Sequence, residues 1–234
     1  MCDEPACGPI KHGDGVCCPG ESACDEPACG PGYCGDGCCG AGEDACSCYA
    51  DCASSVTCLT LRRGELGDIA DTYLGDANPT YVGGARPIMY IGPTSPGKEY
   101  KPLLRFDLGL LPIGAHVFSA TLHIPPVLTG SIIPQFGYVY PVLSPWDEAT
   151  VTANNFGASS NFGASQQTFV LTAGHSTTMD LTGMVQLWVD GSKPNHGLML
   201  RAPKGAVRAL YSGDRAEPKE RPRLDLCYAT CEKK

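Results

Sequence analysis

The 234-residue sequence lacks features that define several common classes of protein. No apolar run is long enough to cross a bilayer, and neither a Gly-x-Ser-x-Gly nor a His-Glu-x-x-His motif occurs. The five histidines are scattered, and no two of them lie at metal-ligand spacing. The formal charge of −8 disfavours nucleic acid, because that binding depends on Lys and Arg that neutralise phosphates. The sequence therefore predicts neither a membrane span nor a nucleic-acid partner.

Residues 1–58 are poor in large apolar side chains and in bases, with Lys11 opposing ten acids. They hold 13 of the 15 cysteines, whereas residues 59–234 hold only Cys227 and Cys231. A segment this polar buries too little surface to fold unaided, and disulfides in such segments contribute about 2–5 kcal/mol each. We therefore predict two domains, a small disulfide-rich, loop-dominated repeat region over 1–55 and a globular domain over 56–234.

The cysteine-rich region repeats itself. The run at residues 2–9 recurs at residues 24–31, and adjacent cysteine pairs follow at 17–18 and 38–39. The cysteine spacings differ from those of zinc sites, which favours disulfides and an extracellular or cell-surface protein. No hydrophobic segment typical of an export signal follows Met1, so we expect either a signal already removed or a Met1 that is not native. The region resembles the short CGDGxCxxGE repeats of exported bacterial proteins.

Two groups of acids are candidate ligands for a structural calcium ion, which is the one cofactor that the sequence suggests. Calcium binds several carboxylate oxygens from tight loops, although solvated acids in ordinary turns give the same pattern. The first group lies in and after Gly-Asp-Gly turns of the repeats, and the second lies in one predicted loop. Their members are Asp14, Glu21, Asp36 and Glu43 in the first group, and Asp68, Asp71 and Asp76 in the second.

The sequence pattern of the larger part predicts an all-β fold. Short runs of β-branched, aromatic or alternating apolar residues are separated by Gly, Pro and Asn clusters. The predicted strands are Val56–Arg62, Arg86–Ile91, Leu103–Leu108, Val117–Ile124, Phe136–Leu143, Gly197–Arg201, Val207–Tyr211 and Arg223–Tyr228. Leu181, Met184, Val185 and Trp188 lie at helical spacing and predict one short helix. The pattern predicts an antiparallel β-sandwich or jelly roll.

Terminal strands often pair in such folds. If Val56–Arg62 lies beside Arg223–Tyr228, Cys58 can form a disulfide with Cys227 or Cys231. A bridge between Cys227 and Cys231 would need a tight turn, because four extended residues span about 13 Å.

The larger part contains a series of short motifs, which include Asp71–Leu74, Leu103–Leu108, Ser119–Leu122, Trp146–Thr152 and Arg221–Leu224. In order and spacing over residues of about 60–231, these motifs resemble the DNRLRE domain. The sequence departs from the family at Ala153, where Trp is frequent. The resemblance implies a β-sandwich attached to exported proteins and, in some members, a carbohydrate-binding module for anionic polysaccharides such as alginate.

No enzymatic activity is predicted. Asp147 and Glu148 form the one carboxylate pair of interest, but neighbours on a strand point to opposite faces and cannot act on one bond. Trp146 and Trp188 are interpreted as core residues. Sugar binding instead uses exposed aromatic faces and Arg or Lys, and the candidate residues are Arg201, Lys204, Arg208, Arg215, Tyr138 and Tyr140. The alternative for the bases is a solvated face paired with Asp214, Glu217 and Glu220.

Two functions remain open. The first is an exported, non-catalytic polysaccharide-binding module, and the second is a structural or adhesive surface protein that packs on like copies of itself. Exposed Tyr and Arg on the outer face of the sandwich would favour the first, and a flat apolar patch would favour the second.

Overall fold

A computed structural model of the chain describes residues 43–52, 56–126 and 132–230. These residues form eleven β-strands, three short α-helices and two 3₁₀ turns. The strands are β1 Thr57–Leu61, β2 Ile69–Gly75, β3 Ile88–Ser95, β4 Lys98–Phe106, β5 His116–Ile124, β6 Gln135–Pro141, β7 Gln167–Leu171, β8 Thr177–Asp180, β9 Leu198–Arg201, β10 Arg208–Tyr211 and β11 Arg223–Ala229. The helices are α1 Tyr49–Cys52, α2 Ala153–Phe156 and α3 Thr182–Val189, and the 3₁₀ turns are Ser159–Asn161 and Pro218–Glu220. No helix among the residues that the structure describes is long and apolar enough to span a membrane.

The chain divides into two compact units. The smaller unit comprises residues 1–57, 114–116 and 228–234, and the larger comprises residues 58–113 and 117–227. The predicted domain boundary after residue 55 falls on residues 53–55, which lie outside the described part, so it stays a prediction. The tandem repeats, together with Asp14, Glu21 and Asp36, also lie outside the described residues.

The strands form two sheets, which confirms the predicted antiparallel β-sandwich. The four-stranded sheet has the order β1-β11-β5-β8. The seven-stranded sheet has the order β10-β3-β4-β9-β6-β7, and β2 also pairs with β4. Burial alternates along β5, where Leu122 and Ile124 are buried and His123 between them is half-buried. This alternation places one face of the strand on an apolar core.

All eight predicted strands and the helix α3 are present. Strands β2, β7 and β8 were not predicted. Asp71 and Thr72 interrupt the apolar pattern of β2, although six of its seven residues are buried. Burial alternates along strands β7 and β8, but Gln or Thr occupies four of their nine positions. Helix α2 was also not predicted; it begins at a capping box between Thr152 and Asn155.

A second apolar cluster lies on the outer face of the seven-stranded sheet. Leu103 of β4 and Met199 of β9 pack there against Trp146, Val151 and Phe156 from the connection between β6 and β7. This connection thereby buries part of an outer sheet face that would otherwise be solvated.

The terminal strands of the larger domain are joined covalently. Cys58 on β1 forms a disulfide with Cys227 on β11, across a sequence separation of 169 residues. The structure thus selects Cys227 from the two predicted partners, and Cys231 lies outside the described residues. In the smaller unit Cys46, Cys48 and Cys52 are each disulfide-bonded, as predicted for the cysteine-rich region.

Candidate functional site

Three aromatic side chains lie in line on the outer face of β6. Phe136, Tyr138 and Tyr140 occupy alternate positions, and the residues between them, Gly137 and Val139, are buried. Residues two apart on a strand are about 6.7 Å apart and point to the same face. Phe136 is 65% exposed and both tyrosines are half-buried. We call these three residues the aromatic row.

Two shallow clefts follow the aromatic row. The first, of about 310 Å³, is lined by Phe136, Tyr138 and Lys204 among others. The second, of about 270 Å³, is lined by Tyr140 and Arg201. Arg201 is the cross-strand neighbour of Tyr138, because β6 and β9 pair in that register. Four of the six predicted glycan-binding residues therefore lie along one face.

The charges beside the aromatic row are mostly balanced. An Arg201 nitrogen lies 2.7 Å from Glu99 Oε1. Burial lowers the pKa of Arg201, but the hydrogen bond and charge of Glu99 outweigh it and leave that pKa raised. Lys204 is exposed and forms no ion pair with any described residue. The face therefore presents one unpaired ammonium beside its aromatic rings.

The other two predicted glycan-binding residues lie elsewhere. Arg208 is 2% exposed, and its guanidinium donates to Gln135 Oε1 at 3.0 Å and to the Ile133 carbonyl at 2.8 Å. Arg215 pairs with Glu220 at 2.5 Å and stacks over the Tyr211 ring at 4.5 Å. The guanidinium of Arg208 is thus enclosed, and that of Arg215 is paired with an acid.

A second polar group surrounds Arg63. The Arg63 guanidinium lies 2.6 Å from Glu148 Oε2 and 2.6 Å from Asp214 Oδ1, and its Nε lies 3.5 Å from Asp68 Oδ1. Asp71 joins them because its main-chain N–H donates to Glu148 Oε1 at 3.1 Å. We call Arg63, Asp68, Asp71, Glu148 and Asp214 the Arg63 cluster.

Asp71 is the most buried member of the Arg63 cluster, at 1% exposure. Its Oδ2 accepts a hydrogen bond from the Gly213 N–H, and a Cβ at Gly213 would lie 2.8 Å from this oxygen. Its Oδ1 has no hydrogen-bond partner among the described residues. Burial, reinforced by the charges of Glu148 and Asp214, raises the pKa of Asp71 to about 7, although the Gly213 N–H and Arg63 oppose this rise.

The other predicted calcium ligands are placed differently. Both carboxylate oxygens of Asp76 accept hydrogen bonds from Lys101 Nζ, at 2.9 Å and 3.0 Å. The ammonium group of Lys101 therefore occupies the position next to Asp76 that a metal ion would take. Glu43 lies near Cys48 and Asp51, but the disulfide-bonded Cys48 offers no thiolate. Among the described residues, the group of three carboxylates with oxygens close enough to share an ion is formed by Asp71, Glu148 and Asp214. The sequence indicated Asp71 but not its two partners, which come from distant loops.

The carboxylate pair of the sequence separates in the fold. Asp147 Oδ1 accepts hydrogen bonds from Ala149 N–H and the Thr150 hydroxyl, which closes a turn. Glu148 belongs to the Arg63 cluster. A carboxyl with a raised pKa beside a second carboxyl group is typical of acid–base catalysis, but Asp71 is buried at 1% exposure.

A further cleft of the larger unit, of about 600 Å³, lies beside α3. Met184, Leu187 and Trp188 form an apolar wall, and Asp180 and Lys193 add polar groups. Sequence reasoning assigned Trp188 to the core, yet it is only half-buried, whereas Trp146 is buried as predicted. The sequence did contain a signal for the partial exposure of Trp188. Helix α3 is apolar almost all round, and a surface helix that packs one face on the core cannot bury every apolar residue.

The chain matches no protein-family model and no curated protein. The resemblance to the DNRLRE domain therefore rests on its motifs and stays a prediction. Residues of three motifs meet in the fold: Asp71 and Glu148 share the Arg63 cluster, and Arg221 donates to the Arg63 carbonyl at 2.6 Å. Three of the motifs thus contribute residues to the Arg63 cluster or to a direct contact with it.

Proposed function

We propose that this protein is an exported, non-catalytic polysaccharide-binding module that holds its ligand on the aromatic row. The observation that carries the proposal is the alignment of Phe136, Tyr138 and Tyr140 on one outer face. Aromatic rings offer flat apolar surfaces on which sugar rings stack, and rings repeated along a strand suit an extended polymer.

The DNRLRE resemblance supports this proposal through the carbohydrate-binding members of that family. Export is supported by the disulfide between Cys58 and Cys227 and by the disulfide-bonded state of Cys46, Cys48 and Cys52. Such bonds persist in oxidising compartments.

The charge of the face bears on the class of polysaccharide. Arg201 is neutralised by Glu99, and Lys101 is neutralised by Asp76. Of the bases near the aromatic row in the described part of the chain, Lys204 remains for an anionic group. We therefore expect weakly acidic polymers to be retained somewhat better than neutral ones, with an advantage that salt removes.

The test is retention of the protein by gels that contain neutral or anionic polysaccharides, at low and at high salt. Substitutions Phe136→Ala and Tyr138→Ala should each weaken retention roughly fivefold, since an aromatic contact contributes about 1 kcal/mol. Ile113→Ser is the matched control, because Ile113 is 99% exposed on a different loop. Retention of no polymer, or equal retention by all three variants, would refute the proposal.

One further variant locates the sugar. Trp188→Ala removes the aromatic wall of the cleft beside α3 and should leave retention unchanged if the aromatic row is the site. Loss of retention in Trp188→Ala, with Tyr138→Ala unaffected, would move the site to that cleft.

A second function has a specific observation in its favour. Exposed apolar side chains adjoin the aromatic row, with Ile132 at 81%, Ile133 at 70% and Val170 at 40% exposure. Val170 is the cross-strand neighbour of Phe136. An apolar patch of this kind favours self-association in a structural or adhesive protein. Sedimentation over a range of concentrations decides this, because an assembly would dissociate in an Ile132→Ser, Ile133→Ser double variant, whereas a sugar-binding monomer would not change.

A further inference from the structure

The geometry points to a divalent-cation site, best suited to Ca²⁺, formed by the carboxylates of Asp71, Glu148 and Asp214. This site is independent of the aromatic row and does not depend on the proposed sugar binding. Its ligands come from three separate segments of the larger unit, which are β2, the connection between β6 and β7, and the loop after β10.

The spacing of the oxygens fits a shared ion. One carboxylate oxygen from each of the three residues lies within 4.8 Å of the other two. Ca²⁺ binds oxygen at about 2.3–2.6 Å, so two ligands of one ion lie no more than about 5 Å apart. All three ligands are carboxylates, which hard cations such as Ca²⁺ prefer over the softer transition metals.

Asp71 supplies the independent indication of a ligand. It is 1% exposed, and its Oδ1 has no hydrogen-bond partner among the described residues. A buried carboxylate oxygen without a donor is costly, and a bound cation removes that cost. The other oxygen of Asp71 is fixed by the Gly213 N–H, so Oδ1 is held in one direction.

The charge of the neighbourhood also favours a cation. Four acids, Asp68, Asp71, Glu148 and Asp214, surround the single guanidinium of Arg63. Arg63 contacts Glu148 Oε2 and Asp214 Oδ1, so it competes with the ion for two of the three ligands. The acids therefore exceed the positive charge present even when Arg63 is fully paired.

The experiment is a calorimetric titration of the full chain, first treated with EDTA, with CaCl₂ up to about 1 mM, the range of extracellular calcium modules. Thermal unfolding with and without Ca²⁺ is the second readout. We expect one saturable site and a rise of several degrees in the unfolding temperature. The absence of any heat and of any thermal shift would overturn the inference.

Two substitutions test the ligand set in opposite directions. Asp71→Asn keeps the shape of the side chain but removes its charge, and should weaken Ca²⁺ binding by at least about tenfold. Arg63→Met removes the competitor, and should strengthen Ca²⁺ binding while making the EDTA-treated protein less heat-stable. A Ca²⁺ affinity lowered by Arg63→Met would show that no competition exists and would contradict this ligand set.

The controls separate this site from the acids of the repeats. Asp107→Asn removes an exposed carboxylate that bonds only the Gly109 N–H among the described residues, and should leave Ca²⁺ binding unchanged. Calcium binding that survives in Asp71→Asn at wild-type affinity would place the ion elsewhere and would overturn the inference. Polysaccharide retention measured in EDTA is unaffected by either outcome, so the proposed function and the cation site fail independently.

Discussion

Arg208 and Asp71 are the two most deeply buried charged side chains of the seven-stranded sheet among the described residues, and their surroundings differ. Arg208 on β10 is 2% exposed, and both Gln135 Oε1 and the Ile133 carbonyl accept its hydrogen bonds. Asp71 on β2 is 1% exposed, and its Oδ1 has no partner among the described residues. A buried charge without partners destabilises a fold. The hydrogen bonds of Arg208 therefore account for its burial, whereas the unpartnered oxygen of Asp71 indicates that a ligand binds there.

The largest expected effect concerns Arg208. Arg208→Met should lower the free energy of unfolding by about 3 kcal/mol, because it removes the buried guanidinium that donates to Gln135 Oε1 and to the Ile133 carbonyl. Urea denaturation followed by tryptophan fluorescence measures this loss. Arg208→Lys is the control, and it should recover only part of the loss because an ammonium cannot reproduce the planar fork. If Arg208→Met lowered the free energy of unfolding by less than about 1 kcal/mol, Arg208 would contribute no more to stability than an exposed arginine does, and the prediction would be wrong.

Asp71 should respond in the opposite direction. In EDTA, Asp71→Asn should raise the free energy of unfolding by about 1–2 kcal/mol, since an amide accepts from the Gly213 N–H and can donate toward Glu148 and Asp214. Thermal and urea unfolding both test this. Asp71→Ala should instead destabilise the protein, because it opens a cavity. If Asp71→Asn is as harmful as Asp71→Ala, the carboxylate is satisfied in the fold and the comparison fails.

The sequence predicted most of the architecture because local patterns report local burial. Alternation along Val117–Ile124 reflects a strand with one buried face, and the same reasoning found all eight predicted strands. Strand β2 was missed because Asp71 occupies an inward position, where a polar residue contradicts the period-two pattern. The place where the pattern failed is therefore also the place where the fold holds a buried charge.

The candidate sites were less accessible to sequence reasoning. Tyr138 and Tyr140 were found because residues two apart on a strand share a face. Phe136, on the same face, was read only as the start of that strand. Arg208 was grouped with the other bases of the C-terminal part because these bases are interleaved with the predicted strands, and only the fold brings Gln135, 73 residues away, against it. Partners at such separations leave no periodic signal.

A smaller effect is expected at the half-exposed base of the aromatic row. Arg201→Met removes the ion pair with Glu99, yet should cost less than about 1 kcal/mol of stability, because water screens the pair and hydrates the remaining carboxylate. The same urea experiment as for Arg208 gives a direct comparison on one sheet. A loss as large as that of Arg208→Met would show that burial does not set the difference between these two arginines.

The smallest expected effect tests whether burial also outweighs ion pairing in setting the pKa of a half-buried histidine. His123 Nε2 lies 2.9 Å from Asp225 Oδ2 on the four-stranded sheet. Burial, followed by the charge of Arg223, lowers the pKa of His123 even though Asp225 raises it. The unfolded chain has a histidine pKa of about 6.5 and so binds the proton more readily than the folded protein does. Stability should therefore fall as the pH drops from about 6.5 through the folded pKa.

His123→Gln keeps a donor for Asp225 but does not titrate. Its urea midpoint should consequently fall less than that of the wild type between about pH 7 and pH 5, by an amount equivalent to less than 1 kcal/mol. An ion pair with Asp225 that outweighed burial would reverse the sign, because the pKa of His123 would then be raised and acid would stabilise the wild type more than the variant. The direction of this small difference therefore tells whether burial or ion pairing determines the charge of His123, the same question that Asp71 and Arg208 pose in the other sheet.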